Sequence, residues 1–177
     1  MKWHPAWLAA PLAALSVPAL AGARIYASVD DAQQRLFPGQ KMSQSPVLLS
    51  DAQREQMRAA SSVREPFNGE RVWRAAKGGW LVVDEVVGKH EMVKYALAIN
   101  ADGTIRGVEI LEYVESYGYE VADPAWRGQF VGKTVAAPLK LNQDIRNISG
   151  ATLSCKHLTD GIKRLMVMHD LVLKNQK

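Results

Sequence analysis

The stretch EMVKYALAINADGTIRGVEILEYV, residues 91–114, decides the fold. Val93, Tyr95, Leu97 and Ile99 recur at every second position, the period of a strand that shows one face to a core. Asn100-Ala101-Asp102-Gly103 is turn chemistry, with Gly103 free to take a positive φ. A second strand starts directly after it at Thr104, so the two strands are predicted to form an antiparallel hairpin. Ile105 and Val108 fall out of phase across Gly107, which predicts a bulge there.

Upstream, Trp80–Val87 is β-branched and compact and reads as another strand. Two short helices precede it. Ser28 with Asp31 begins the first, on which Val29, Ala32 and Leu36 share a face before Pro38-Gly39 stops it. Ser50 with Gln53 begins the second, running to about Ala60. Downstream the pattern breaks at Glu115-Ser116-Tyr117-Gly118, and Asp123-Pro124 opens a short helix. Leu158, Ile162, Leu165, Met166 and His169 then mark a long amphipathic helix over about 152–173. There is no internal repeat and no low-complexity linker. The chain reads as one α+β domain, 22–177, with an antiparallel sheet, flanking helices and a long C-terminal helix.

The composition, 47% hydrophobic and 23% charged over 177 residues, is that of a globular protein with a real core. The net charge of +4 is unevenly spread. Residues 133–177 carry eight Lys or Arg against three Asp, whereas 22–132 carry thirteen basic and fifteen acidic residues. A basic C-terminal third without a broad stripe or aromatic platforms suits one small anion and argues against nucleic acid. Residues 1–21 read as a secretory signal. Lys2 and His4 precede an apolar run at 6–15, and Ala19-Leu20-Ala21 supplies a cleavage pattern. Pro11 and Pro18 interrupt the run, which is short of the roughly 20 apolar residues of a spanning helix. Export to the periplasm with cleavage after Ala21 is the expectation, ahead of a retained anchor. The single cysteine, Cys155, excludes an internal disulfide, and no C-x-x-C-H occurs for covalent haem.

The stretch that carries chemistry is Asn147-Ile148-Ser149-Gly150-Ala151-Thr152-Leu153-Ser154. Gly150 and Ala151 are small and lie directly before the first turn of the long helix, where free N–H groups and the positive end of the dipole welcome a phosphate. Thr152 brings a hydroxyl to the same place. Lys156 follows one turn on, and Lys133, Lys140 and Arg146 precede it. Taken alone, a Ser or Thr beside Gly at a helix start is more commonly a cap than a ligand site.

Context favours the ligand. Ser149-Gly150-Ala151-Thr152 resembles the S/T-G-A-T motif of the FMN-binding domain family, which includes flavin-carrying subunits of sodium-translocating NADH:quinone reductases and of Rnf complexes. The resemblance extends over roughly 70–170 in the right order. Asp102-Gly103-Thr104-Ile105 is similar to the family's D-G-x-I hairpin, and Glu115-Ser116-Tyr117-Gly118 to its E-T-P-G segment beside the flavin. Trp126, Gln129-Phe130 and Gly132-Lys133 resemble its W…Q-F-x-G-K stretch, and Thr159-Asp160-Gly161-Ile162 its following helix. Arg146 stands where the family often has Asp, and Tyr117 stands where it has Pro.

The resemblance implies a periplasmic electron carrier rather than a stand-alone enzyme. FMN would be joined through its phosphate to Thr152 by an FAD- and Mg-dependent flavin transferase. Ser149, Gly150, Ala151 and Leu153 would shape the loop around the phosphate. Lys133 and Lys156 would offset its charge, while Glu115, Ser116, Tyr117 and Gly118 would line the ring. The partner would be a membrane-embedded oxidoreductase of the haem or ferric-reductase type. Two other readings stay open: a non-redox binding module of the same fold, and a flavin-dependent reductase of a small substrate.

Other candidates fail by pattern. His90-Glu91 lacks the second His of a zinc H-E-x-x-H, and Gly132-Lys133-Thr134 lacks the upstream Gly of a P-loop, where Arg127 stands. Cys155 reads as a small buried residue rather than a nucleophile. His157 and His169 read as surface or core.

Overall fold

The structure is a computed structural model describing residues 24–114 and 118–176. The predicted signal at 1–21, with its cleavage point, and the candidates Glu115, Ser116 and Tyr117 lie outside the described residues. The elements, in chain order, are β1 (Arg24–Ile25), α1 (Val29–Leu36), β2 (Met42–Gln44), α2 (Asp51–Ala60), β3 (Val72–Ala75), β4 (Trp80–Val87), β5 (Met92–Ile99), β6 (Ile105–Tyr113), α3 (Pro124–Arg127) and α4 (Thr152–Leu171). The six strands form one antiparallel sheet in the order β1-β6-β5-β4-β3-β2. This is a single α+β domain.

The predicted hairpin is β5–β6. Asp102 Oδ1 closes its turn, accepting from the Thr104 amide at 2.9 Å and the Thr104 hydroxyl at 2.7 Å. The register shifts twice. Ala98 faces Gly107 while Ile99 faces Ile105, so Arg106 is the extra residue, one position before the glycine that signalled it. Lys94 faces Glu112 while Tyr95 faces Ile110, so Leu111 is a second extra residue. The two irregularities keep Ile105, Val108, Ile110 and Tyr113 on one face although their spacing in sequence is uneven.

That face holds the main core. Val93, Tyr95, Leu97 and Ile99 of β5 pack with Val82 and Val86 of β4 under Leu158, Ile162, Leu165 and Met166 of α4, and Met57 of α2 joins them. Each large apolar side chain so buried contributes about 1.5–3 kcal/mol. The opposite face carries a smaller core of Leu81, Val83, Ala96, Ala98 and Leu111, covered by Ala32 and Phe37. Both predicted capping boxes form. Ser28 and Asp31 bond reciprocally at the start of α1, as do Ser50 and Gln53 at the start of α2. The edge strands β1 and β2 are two and three residues long, which limits edge-to-edge pairing.

Helix α4 lies along the sheet, and its contacts fix the direction. Ser154 in its first turn meets Tyr113 at the end of β6, and His157 meets the carbonyls of Val87 and Gly88 at the end of β4. At its far end His169 lies against Gly103 of the hairpin turn. Thr152 therefore sits at the end of the sheet where β6 finishes at Tyr113.

Candidate functional site

Thr152 is the first residue of α4, and the helix has no side-chain cap: Ala151 precedes it at φ −117°, ψ 20°. The commoner reading of a Thr beside Gly, that it caps the helix, is not the arrangement found. The first helical bond runs from the Cys155 amide to the Ala151 carbonyl at 2.9 Å. The amides of Thr152, Leu153 and Ser154 precede that bond and find no acceptor among the described residues. Thr152 and Leu153 are exposed, while Ala151 and Ser154 are each 3% exposed. Gly150 takes φ +84°, with open space where a side chain would be. Lys89, from the β4–β5 turn, lines a shallow depression together with Gly150, Ala151, Thr152, Leu153 and Ser154.

The loop before α4 is held from beneath. Trp126 Nε1 donates to the Arg146 carbonyl at 2.7 Å, and the Arg146 amide donates to Gln129 Oε1 at 2.8 Å. Gln129 in turn donates from Nε2 to the Trp126 carbonyl, and Phe130 meets the Trp126 ring edge-on at 5.3 Å. Asp123 caps the short α3 that carries Trp126, accepting from the Ala125 amide. Both peptide groups flanking residue 146 are thus pinned. A tight turn follows, with the Ala151 amide on the Ile148 carbonyl at 3.0 Å. Across this turn Asn147 Nδ2 donates to Thr152 Oγ1 at 2.9 Å. Asn147 Oδ1 is buried with no donor among the described residues, an arrangement that costs about 1–3 kcal/mol.

The floor of the site is Tyr113, Ser154 and Gly118. Tyr113 Oη and Ser154 Oγ are 3.0 Å apart. Gly118, at φ +84°, lies on both, since an added Cβ would stand 2.6 Å from Tyr113 Oη, 3.0 Å from Ser154 Oγ and 3.4 Å from Ala151 Cβ. Only a residue without a side chain fits, and this contact brings Gly118 to the start of α4. Ser149, Gly150, Ala151, Thr152, Leu153 and Gly118 are accordingly brought together.

Each of the two lysines has a carboxylate partner. Lys156 bonds Asp160 and Ser62, each at 2.8 Å, along the flank of α4. Lys133 pairs with Asp144 at 3.1 Å, and its carbonyl accepts the Ile105 amide at the opposite end of β6 from the site. Asp144 also accepts from the amides of Leu139 and Lys140, and these bonds with Lys133 hold its carboxyl below the ordinary value against burial. Arg146 is exposed. The features that sequence reasoning missed are the roles of Asn147 and Lys89 and the bond between Tyr113 and Ser154. Asn147 stood inside the quoted stretch, but nothing in its spacing announced a bond to Thr152. Lys89 and Tyr113 reach the site only through the fold.

Farther along α4, Arg164 makes a buried bidentate pair with Asp84, at 2.8 Å from Nε and 2.6 Å from Nη2, and donates to the Glu65 carbonyl at 2.7 Å. Tyr95 Oη donates to the same carboxylate at 3.0 Å. Burial raises the Asp84 carboxyl above its ordinary value against the pull of Arg164, and burial first, then the Asp84 charge, raises Tyr95 well above its own. Gly161 lets the helix approach, since a Cβ there would stand 2.6 Å from Tyr95 Oη. Cys155 is buried, which pushes its thiol up. Among the described residues no group of His, Cys, Asp and Glu forms a metal site, and no helix is long and apolar enough to cross a membrane.

A flavin phosphate needs N–H donors, space and a route for the rest of the molecule. The first turn of α4 gives three unpaired amides, Gly150 gives the space, and the unpaired Asn147 Oδ1 gives an acceptor for a hydroxyl of the ribityl chain. The residues fit the group. No curated protein matches the chain. Among solved structures, NqrC from Shewanella oneidensis is similar at a TM-score of 0.50 and 18% identity, over 77% of this chain and 82% of that one. Residues 88–167, from the β4–β5 turn through most of α4, match the family described as the FMN-binding domain. Over these residues the chain is thus similar to an FMN-binding domain, and the match supports FMN as its cofactor.

Proposed function

We propose that this is an exported electron-transfer protein that holds FMN covalently through its phosphate on Thr152. The observation that carries the attachment point is the contrast between two hydroxyls of one turn. Thr152 is exposed beside unpaired amides, while Ser154 is buried against Tyr113. Bound FMN supplies the capacity to accept two electrons and release them singly. The chain supplies position: the α4 amides face the phosphate, Gly150 keeps the approach clear, and Gly118 packs against the helix start. The apolar leader and the Ala19-Leu20-Ala21 pattern support export and cleavage after Ala21. Maturation by an FAD- and Mg-dependent flavin transferase, and exchange of electrons with a membrane-embedded haem or ferric-reductase-type partner, complete the reading.

Co-expression with a flavin transferase tests it. The purified protein is expected to be yellow and to keep flavin fluorescence on a denaturing gel, with its N-terminus at Gly22. Colourless protein made under those conditions would overturn the flavoprotein reading. It would favour a binding module that has lost its flavin, to which the exposed Arg146 at the family's acidic position lends support. Flavin released by denaturation would overturn the covalent link alone.

A further inference from the structure

We propose that Asn147 is the positioning residue for flavin attachment. It holds the Thr152 hydroxyl in one orientation before reaction, and its Oδ1 accepts a hydroxyl donor of the ribityl chain afterwards. This rests on Thr152 as the attachment point.

The geometry supplies both halves. A threonine side chain exposed on the first turn of a helix has a choice of rotamers, and its hydroxyl commonly turns back onto neighbouring backbone. Here it does neither freely, because Asn147 Nδ2 donates to Oγ1 at 2.9 Å. The Asn147 backbone is fixed in turn, since the peptide groups on either side of residue 146 are bound by Trp126 and Gln129. The bond occupies one lone pair of Oγ1. The other lone pair stays available on an exposed side chain, which is what a nucleophile needs.

In the transfer, Thr152 Oγ1 bonds to the phosphorus of the FMN half of FAD. The phosphoanhydride bond to the AMP half breaks, AMP leaves with the bridging oxygen, and the hydroxyl proton passes to solvent. An ester oxygen still accepts from Nδ2, so the Asn147 bond survives the reaction.

The second half follows from the unpaired atom. Asn147 Oδ1 is shielded from water and has no donor among the described residues. Native proteins seldom leave such an acceptor unpaired. A phosphate oxygen cannot satisfy it, being itself an acceptor, whereas a sugar-alcohol hydroxyl can. Of the chemical parts of FMN, the ribityl chain adjoining the phosphate is the one that carries such hydroxyls.

The test is a labelling time course on intact apo-protein with transferase, FAD and Mg²⁺, followed by mass. Asn147→Ala is expected to reach the wild-type mass up to about a hundredfold more slowly, as a misplaced reacting group can, with a melting temperature before labelling no lower than that of wild type. Asn147→Asp tests the chemistry without changing the size. Its carboxylate cannot donate to Oγ1 and repels phosphate, so its rate relative to wild type is expected to rise as pH falls toward about 4–5, where a carboxyl regains a proton. A merely structural role would slow both variants with no such pH dependence. Asn147→Ala labelling at the wild-type rate, or an Asn147→Asp ratio flat with pH, would overturn the proposal and leave Thr152 attachment standing. Wild-type protein that gains no mass, or Thr152→Ala that does, would instead overturn the attachment itself and this inference with it.

Discussion

The first turn of α4 and the middle of the same helix are built on opposite terms. The middle is buried and fully paired: Arg164 meets Asp84 and the Glu65 carbonyl, Tyr95 completes the carboxylate, and Gly161 lets the helix close on the sheet. The first turn lacks a side-chain cap, exposes Thr152 and Leu153, and leaves three amides and Asn147 Oδ1 unpaired among the described residues. One helix thus carries the anchor and the site at different turns. The lesson is a division of labour, in which rigidity comes from the middle so that the start can keep its bonding capacity for a ligand.

The comparison breaks most severely at the anchor. Arg164→Met leaves the Asp84 carboxylate buried without its partner, and is expected to cost about 3–5 kcal/mol in denaturant unfolding. Adding Asp84→Leu and Tyr95→Phe removes the stranded groups and should recover most of the loss. A triple variant no more stable than Arg164→Met would show that the cost is shape rather than charge. Gly161→Ala comes next. Its Cβ would stand 2.6 Å from Tyr95 Oη, so the helix or the Tyr must shift, at about 1–3 kcal/mol by the same measurement.

Smaller effects belong to the loop and the far end of the helix. Trp126→Phe removes the donor to the Arg146 carbonyl and is expected to cost about 1 kcal/mol. Faster amide exchange at 146–151 than in wild type would show that the pinned peptide groups had been released. At the opposite end of α4, burial lowers the His169 pKa from its ordinary 6.5. The unfolded chain then takes up that proton first as pH falls, so stability is lost on going down through about 6.5. Melting temperatures between pH 8 and 5.5 should fall less in His169→Gln than in wild type. An equal fall in both would assign the loss to other groups.

How much of this was legible in sequence follows the same divide. Local patterns announced the elements: the alternation of 93–99, the 100–103 turn, both capping boxes and the long helix appear where their residues placed them. The bulge at Gly107 was visible because Ile105 and Val108 broke phase. The second, at Leu111, was hidden because Val108 and Ile110 keep phase up to it. The Thr152 turn was legible as a stretch and through its family resemblance, because its residues are consecutive. Contacts between distant residues were not. Lys133 and Lys156 were assigned to the phosphate by nearness in sequence, and only the fold shows that they pair with Asp144 and Asp160. Asp84 stands in phase with Val82 and Val86 on a core strand, a sign that it needed a cation, but only the fold shows that Arg164 supplies it.

The most direct test of the account is the mass of one tryptic peptide. Cleavage after Arg146 and Lys156 releases residues 147–156, which contain Ser149, Thr152 and Ser154. Protein matured with a flavin transferase should yield this peptide heavier by one FMN less one water, with fragmentation placing the increment on Thr152. The Thr152→Ala protein should yield it unmodified, while its stability changes by no more than about 0.5 kcal/mol, as for an exposed surface position. An FMN increment that persists in Thr152→Ala, or that fragmentation places on Ser149 or Ser154, would contradict the account.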